Sequence, residues 1–350
     1  MRLPLAERMS ALAENGTPGV VSAQSARGSA MLANMFSHRR VRGQDALEVE
    51  GIAGLVQRLA VMLAAGVVPT NAWGYLADLA PRGRDTVVRA VAEAILRGEA
   101  IPAAIDAAAR ERSPRAAEAW RAVAASWLVA TTSGAPLAGC LREMAEALRQ
   151  LGQLHRDVDA ALAGPVSTAR FVAVLPVVGL LFGTILGFDT IGILFSTPLG
   201  LGCLGAGVSL SLIAGRWTAM LVRRARPSSG SPGLTAQLVA IALTGGGSIV
   251  GARESTAAAC TRFAVGDARG EMAIDTVLAL SRRAGVPAAE LLRSEAEQDR
   301  RAARTQAQLR AAALGTSLMI PLGLCVLPAF MVLGVAPLML AVLSSTVTGL

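Results

Sequence analysis

The sequence predicts an all-α integral membrane protein, and three observations support that fold class. Of the 350 residues, 53% are hydrophobic and only 17% are charged, which is too apolar for an ordinary soluble protein. Two long blocks almost lack charge: 171–215 contains Asp189 alone, and 311–350 contains no charged side chain. Elsewhere apolar residues recur with helical spacing. We therefore expect cytoplasmic helical bundles, one full and one shortened, with about three transmembrane helices.

The polar residues give no pattern of a chemical site. The cysteines are scattered singly without a CxxC pair, at Cys140, Cys203, Cys260 and Cys325, so we expect neither a disulfide framework nor a metal site. The two histidines, His38 and His155, lie in no context that suggests a triad. The sequence therefore predicts no catalytic, cofactor-binding or metal-binding residue.

The basic residues indicate a partner class. All 33 are arginine, and the net charge is +8. Aromatic residues make up only 3% of the chain and do not alternate with the arginines, as they would in a binder of single-stranded nucleic acid. We therefore expect contact with the lipid bilayer and no nucleic acid.

The N-terminal segment, residues 1–51, is predicted as a poorly ordered lead-in. It mixes arginine, serine, glycine and asparagine without an apolar run of crossing length, and it lacks the apolar core of a signal peptide. We expect this end of the chain to stay in the cytoplasm.

Residues 52–165 are predicted to form the full cytoplasmic bundle, with five or six short helices. An apolar helical stripe begins at Leu55 and stops at Gly66. Glycine closes a helix in the left-handed conformation, and a proline such as Pro69 fits the first turn of the next helix. The segment therefore begins with a tight helix–turn–helix.

A second turn, at Gly134 and Pro136, opens the helix that leads toward the membrane. Its apolar residues step by four, three, four and three along one seam, Leu137, Leu141, Met144, Leu148 and Leu151. This spacing is typical of a helix that packs against a partner helix.

Residues 166–216 are predicted as a transmembrane hairpin. The stretches 169–188 and 193–215 each have the length of one crossing. The connection between them carries no arginine, whereas the far end carries Arg216, Arg223, Arg224 and Arg226. Because positive charge stays inside, the turn is predicted outside and both flanks in the cytoplasm. These arginines, and Arg310, are interpreted as topology anchors, with docking to an acidic protein face as a second use.

Residues 217–233 are predicted as a cytoplasmic linker, and 234–311 as a shortened second bundle. Aligning Gly134 and Pro136 with Gly285 and Pro287 gives an offset of 151 residues, which indicates an internal repeat. LVAIALTGGG (238–247) also resembles LAVMLAAGV (59–67). About one helical hairpin is missing from the second copy.

The second copy also changes the seam. At the offset of 151, Glu295 and Asp299 stand where the first copy has Met144 and Leu148. Helix 288–310 is therefore expected to present a polar surface, either solvated or used for docking.

The C-terminal segment, residues 312–350, is predicted to be transmembrane. Its uncharged length is enough for one crossing with a tail or for two crossings.

Three glycines, Gly179, Gly183 and Gly187, recur every fourth residue on the first predicted crossing of the hairpin. Such a stripe allows close packing of membrane helices, either within the hairpin or between chains.

Three motifs resemble chemical sites, and their context argues against each. GLGCLG (200–205) matches a dinucleotide fingerprint, but it lies in a predicted crossing instead of following a strand. GGG (245–247) cannot belong to a Walker A motif, because the chain has no lysine. Asp189 is interpreted as a solvated residue of the external turn, although an acid in a crossing can also mark an ion path.

Three segments carry a resemblance to a known family: LAVMLAAGVVPTNAW (59–73), SGAPLAGCLREMAEALRQ (133–150) and PLGLCVLPAFMVLGVAP (321–337). In their order beside the apolar blocks, the chain resembles the type II secretion system F-domain family over about 52–335. It looks most similar to the platform proteins of tight-adherence (Tad/Flp) pili.

The resemblance implies a non-catalytic platform in the inner membrane. Such a protein couples a cytoplasmic secretion ATPase to the insertion of pilin-like subunits, as a homo-oligomer or together with a second platform protein. It implies no cofactor, and its turn positions correspond to Gly66, Pro69, Gly134, Pro136, Gly285 and Pro287. The alternative class is a small polytopic transporter or channel, which usually needs polar groups inside its crossings.

Overall fold

The structure, a computed structural model, describes residues 47–80, 86–185, 192, 195–225, 230–266, 268–337 and 339. These residues contain no β-strand. The main helices are α1 (47–64), α2 (Pro69–Leu79), α3 (Thr86–Leu96), α4 (Ile101–Ala109), α5 (Pro114–Ser133), α6 (Leu137–Ile185), α7 (Pro198–Ala225), α8 (Leu234–Thr244), α9 (Ile249–Phe263), α10 (Ala268–Ala284) and α11 (Ala288–Ser317). A helical run over 319–335 follows α11 and includes two π-helical stretches, Leu322–Val326 and Met331–Val335.

Glycines in the left-handed conformation end three helices at turns expected from the sequence. The φ angles are +86° at Gly66, +75° at Gly134 and +69° at Gly285. A Cβ at any of the three would meet no atom within 4 Å, so it is backbone conformation that favours glycine there. Pro69 is the first residue of α2, and Pro287 is the N-cap of α11.

The centre of the first helical region is built on α5. Most residues of this helix are buried, and its Trp120 and Trp127 each lie 6.2 Å, between ring centroids, from Trp73 of α2. The rings are tilted with respect to one another, as is common for packed aromatic side chains. The three tryptophans anchor α2 to α5.

Helix α8 joins the two predicted helical regions. All nine residues from Leu234 to Ala242 are buried, and the helix packs against α5, α9, α10 and α11. Apart from Thr235 and Gln237 these nine residues are apolar, and a helix that is apolar on nearly every side must be covered by neighbouring helices. One hydrophobic core therefore contains residues of α1–α6 together with residues of α8–α11, so 52–165 and 234–311 do not have separate cores.

The two regions differ by one helical hairpin. Four helices, α2 to α5, lie between the turns at Gly66 and Gly134. Two helices, α9 and α10, lie between Gly246 (φ +85°) and Gly285.

Helix α6 runs without interruption from the helical core toward the first predicted crossing. It contains 49 residues, which corresponds to about 74 Å at 1.5 Å per residue. The predicted external turn, with Asp189 and Gly187, lies outside the described residues, as does Arg226.

Two helical segments of the described part of the chain are long and apolar enough to cross a membrane, Pro198–Arg224 and Ala288–Val335. They pack together closely, since a Cβ at Gly207 would lie 2.2 Å from Cγ of Leu333. Near the predicted cytoplasmic entrance, α6, α7 and α11 share a smaller apolar cluster of Leu154, Val158, Val222, Ala307, Ala311, Leu314 and Leu318.

Candidate coupling site between two long helices

Helices α6 and α11 lie side by side, and each leads toward a segment predicted to cross the membrane. On α6, three of the predicted seam residues, Leu141, Met144 and Leu148, are buried. The other two, Leu137 and Leu151, are half-buried and pack against the same core. The seam thus lies at the centre of the helical core.

The packing face of α11 differs from the seam of α6. Glu295 and Asp299 are half-buried, while the buried side chains of α11 are Leu292, Ala296, Ala307, Ala311 and Leu314. Most of these are small, which allows close approach of neighbouring helices. The surface of α11 expected to be solvated or free for docking is therefore partly used for packing inside the chain.

Three polar cross-links connect α11 to α6. Arg293 Nε lies 3.1 Å from Glu143 Oε1, and Arg304 Nη2 lies 2.6 Å from Asp157 Oδ2. Between them, Arg300 Nε donates to Gln150 Oε1 at 3.0 Å. The three cross-links follow one another along the axes of the two helices.

The sequence separation of these cross-links shows that α6 and α11 run parallel. The separation is 150 residues for Arg293–Glu143 and for Arg300–Gln150, and 147 for Arg304–Asp157. A nearly constant separation means that both helices advance in the same direction and by the same distance from one cross-link to the next. It is close to the repeat offset of 151, but at that offset Arg293 and Arg300 align with Arg142 and Arg149, so comparing the two copies does not reveal the cross-links.

The cross-links define the register of the two helices more than they stabilise the fold. The side chains of Arg304 and Asp157 are 45% and 29% exposed, and partly exposed ion pairs contribute at most about 1 kcal/mol each. Because several are spaced along the helices, sliding of α11 against α6 would break all of them together.

Two titratable groups near the site have shifted pKa values because they are buried. Burial lowers the pKa of Arg300, against the opposing effect of nearby carboxylates. Burial likewise raises the pKa of Glu118 on α5, although Arg121 and a hydrogen bond from the backbone N–H of Gly230 lower it. Glu118 thereby connects the end of the linker to α5.

Cys140, on the first turn of α6, provides a test of this burial. Burial, with a smaller contribution from Glu143, raises its pKa to about 11 from the usual 9.0. The thiol should therefore stay protonated at pH 8, with about a hundredfold less thiolate than in the unfolded chain. We expect iodoacetamide to alkylate Cys140 at least about 100-fold more slowly in the native chain than in urea, by site-resolved mass spectrometry. Equal rates in the two states would contradict the buried environment.

The ends of α8 approach neighbouring backbone so closely that only glycine fits. A Cβ at Gly233 would lie 2.4 Å from the carbonyl oxygen of Ala296 on α11, and a Cβ at Gly245 would lie 2.0 Å from that of Ser133. The GGG segment therefore ends α8 against the α5–α6 turn. The GLGCLG motif lies within α7 and does not follow a strand.

The remaining predicted residues are placed as follows. Arg216, Arg223, Arg224 and Arg310 are exposed, Gly179 and Gly183 lie within α6, and His155 is buried on α6. Within the described ranges, no group of three or more histidine, cysteine, aspartate or glutamate residues could hold a metal ion.

Comparison with known proteins shows a similarity for part of the chain. A search of curated proteins found no match. Residues 55–185 match the family described as Type II secretion system (T2SS), protein F. The matched range begins within α1 and ends with the last residue of α6, and it includes both the seam and the acidic partners of the α11 arginines. Over this range, the chain is similar to T2SS protein F.

Proposed function

We propose that this protein is an inner-membrane platform of a type II secretion or type IV pilus machine, of the Tad/Flp kind. It would couple a cytoplasmic secretion ATPase to the insertion of pilin-like subunits and would have no catalytic activity of its own. The F-domain match over 55–185 supports the class of machine. The observation that carries the coupling role is the continuity of α6 from Leu137 to Ile185.

A continuous helix is suited to transmit a displacement. Its backbone hydrogen bonds resist stretching, and breaking it in the middle costs several residues of helical structure. Here the first turn of α6 is held in the helical core, with Cys140 and Leu141 buried, and its far end reaches the first predicted crossing. A movement imposed on the core would therefore move the membrane segment with it.

Helix α11 provides a second connection between the helical core and a predicted membrane segment. Helix α11 is cross-linked to α6 and is followed by the helical run 319–335, so both helices would move as one unit. The arginines at 216, 223, 224 and 310 are exposed and would bind anionic lipid headgroups of the cytoplasmic leaflet. Association with further copies, or with a second platform protein, belongs to this proposal.

Interrupting α6 tests the coupling role directly. Ala161 is exposed on α6, so replacing it leaves the apolar packing intact. Ala161→Pro removes a backbone hydrogen bond and kinks the helix, at a cost of about 3 kcal/mol, whereas Ala161→Ser leaves the helix continuous. We expect the proline variant to insert in the membrane and to bind the secretion ATPase, but to lose at least about 90% of pilus assembly or secretion because a kinked helix transmits displacement poorly.

The serine variant is the matched control and should assemble pili at the normal level. Normal assembly by the proline variant would contradict transmission through α6. Failure of the native chain to co-purify with a secretion ATPase, together with solute or ion flux in liposomes, would instead support the transporter class.

A further inference from the structure

A cavity of about 180 Å³ lies between α5, α6, α8 and α11, beside the end of the linker. One part of its wall is apolar and consists of Ala122, Met144, Ala147, Leu148, Leu151, Leu154, Pro232 and Leu234. The other part is polar and consists of Gln150, Ser231, Gln237, Arg300, Arg301 and Arg304. A cavity of about 150 Å³ holds a benzene molecule, so this one has room for a small ring with one polar substituent.

The three arginines of the cavity differ in their direct partners. Arg304 is paired with Asp157 across the helix interface, and Arg301 is paired with Glu297 one turn earlier on α11. Arg300 instead donates to two neutral amide oxygens, Gln150 Oε1 at 3.0 Å and Gln237 Oε1 at 3.3 Å. Among the described residues, no carboxylate lies within ion-pair distance of Arg300.

Arg300 therefore retains hydrogen-bonding capacity. A guanidinium group carries five N–H donors, and the two glutamines engage Nε and Nη1 only. No described residue accepts a hydrogen bond from Nη2. A half-buried guanidinium group with unused donors favours the binding of an anion, because the anion replaces hydrogen bonds that the group would make to water.

We propose that this cavity binds a small organic carboxylate, with the carboxylate on Arg300 and a short apolar body against Met144, Leu148 and Leu151. A monoanion matches the one guanidinium group of this cavity whose direct hydrogen bonds go to neutral amides. An apolar body of about the size of a phenyl ring matches both the volume and the apolar wall.

The position of the cavity favours a ligand from the cytoplasm over a lipid headgroup. Gln150 precedes the predicted membrane boundary at residue 166 by 16 residues of continuous α6, which is about 24 Å at 1.5 Å per residue. A phospholipid anchored in the bilayer does not extend that far. A soluble anion reaches the cavity without leaving water.

Such a ligand would contact α6, α8 and α11 together. It would strengthen the register of the two long helices, because binding to one arrangement stabilises it over the others. The binding proposal itself does not depend on the coupling role and is tested without it.

Benzoate is the probe, and benzyl alcohol is its uncharged analogue of similar size. The full chain is placed in lipid nanodiscs, and binding is measured by saturation-transfer NMR with empty nanodiscs subtracted. We expect benzoate to bind at least about tenfold more tightly than benzyl alcohol, since a charge-assisted hydrogen bond contributes about that factor or more.

Three variants locate the site. Arg300→Gln removes the charge, and Ala147→Leu fills the cavity while keeping Arg300. Each substitution should weaken benzoate binding at least about tenfold. Arg310→Gln makes the same chemical change at an exposed position of α11 outside the cavity and should leave benzoate binding unchanged. Tryptophan fluorescence verifies the fold of each variant. If Arg300→Gln unfolds, benzoate binding by Ala147→Leu tests the proposal in its place.

The proposal is overturned by any of three results. These are no benzoate signal above empty nanodiscs, equal affinity for benzoate and benzyl alcohol, or equal benzoate affinity of Ala147→Leu and the native chain.

Discussion

Replacing Leu141 with alanine is expected to lower the free energy of unfolding of the helical core by about 3 kcal/mol, within the usual range for a buried leucine. Leu141 is completely buried, in the core that α6 shares with α5, α8 and α11. Alanine removes the apolar contacts and leaves a void that rigid neighbouring helices cannot fill.

Tryptophan fluorescence during urea unfolding of the detergent-solubilised chain measures this effect. Three of the four tryptophans, Trp73, Trp120 and Trp127, lie buried in this core, so the signal reports on its unfolding. Leu96→Ala is the matched control, because Leu96 is 88% exposed at the end of α3 and its loss should change stability by less than about 0.5 kcal/mol. Equal effects of the two substitutions would show that the seam is not in a packed core.

Replacing Gly245 with alanine is expected to destabilise the junction between α8 and the α5–α6 turn by about 2 kcal/mol or more. Its φ of −74° suits any residue, so the cost is purely steric. The new Cβ would lie 2.0 Å from the carbonyl oxygen of Ser133 and 3.0 Å from the amide nitrogen of Ala135. Both are backbone atoms that cannot rotate away, so α8 must move out of its position.

The two following glycines are controls for different causes. At Gly247 a Cβ would meet only the carbonyl oxygen of Ala242, at 3.5 Å, so alanine there should be nearly neutral. At Gly246 space is open, but φ is +85°, and alanine should cost about 1 kcal/mol through backbone strain. Urea unfolding, followed by tryptophan fluorescence, should show the largest loss of stability for the alanine variant at Gly245, a smaller loss at Gly246 and the smallest at Gly247. A neutral Gly245→Ala would contradict the close approach of the two backbones.

The local features of the fold could be predicted from sequence because short-range chemistry sets them. Glycine followed by proline two or three residues later indicates helix ends at Gly66, Gly134 and Gly285, and each takes the left-handed conformation. Helical spacing of apolar residues likewise identified the seam of α6. The family resemblance was carried by segments of this kind, and the F-domain match at 55–185 supports it.

The candidate site was harder to predict, since its contacts join residues far apart in the chain. Arg300 meets Gln150 across 150 residues and Gln237 across 63. The polarity of α11 suggested a solvated surface, because side-chain type alone does not show which face a neighbouring helix covers. Small alanines, such as Ala296 and Ala307, supply that face and leave little signal in a hydrophobicity pattern.

By itself, the sequence determined that this chain is helical, where several of its turns lie, and that charge is excluded from two long apolar blocks. These properties follow from backbone conformation and from transfer of side chains out of water, which act residue by residue. Only the tertiary structure decided that α8 joins both helical regions in one core, that Gly245 must lack a side chain, and that α6 and α11 run parallel with an arginine-lined cavity between them. Close packing and ion pairing depend on which surfaces meet, and that is set by the assembled chain as a whole.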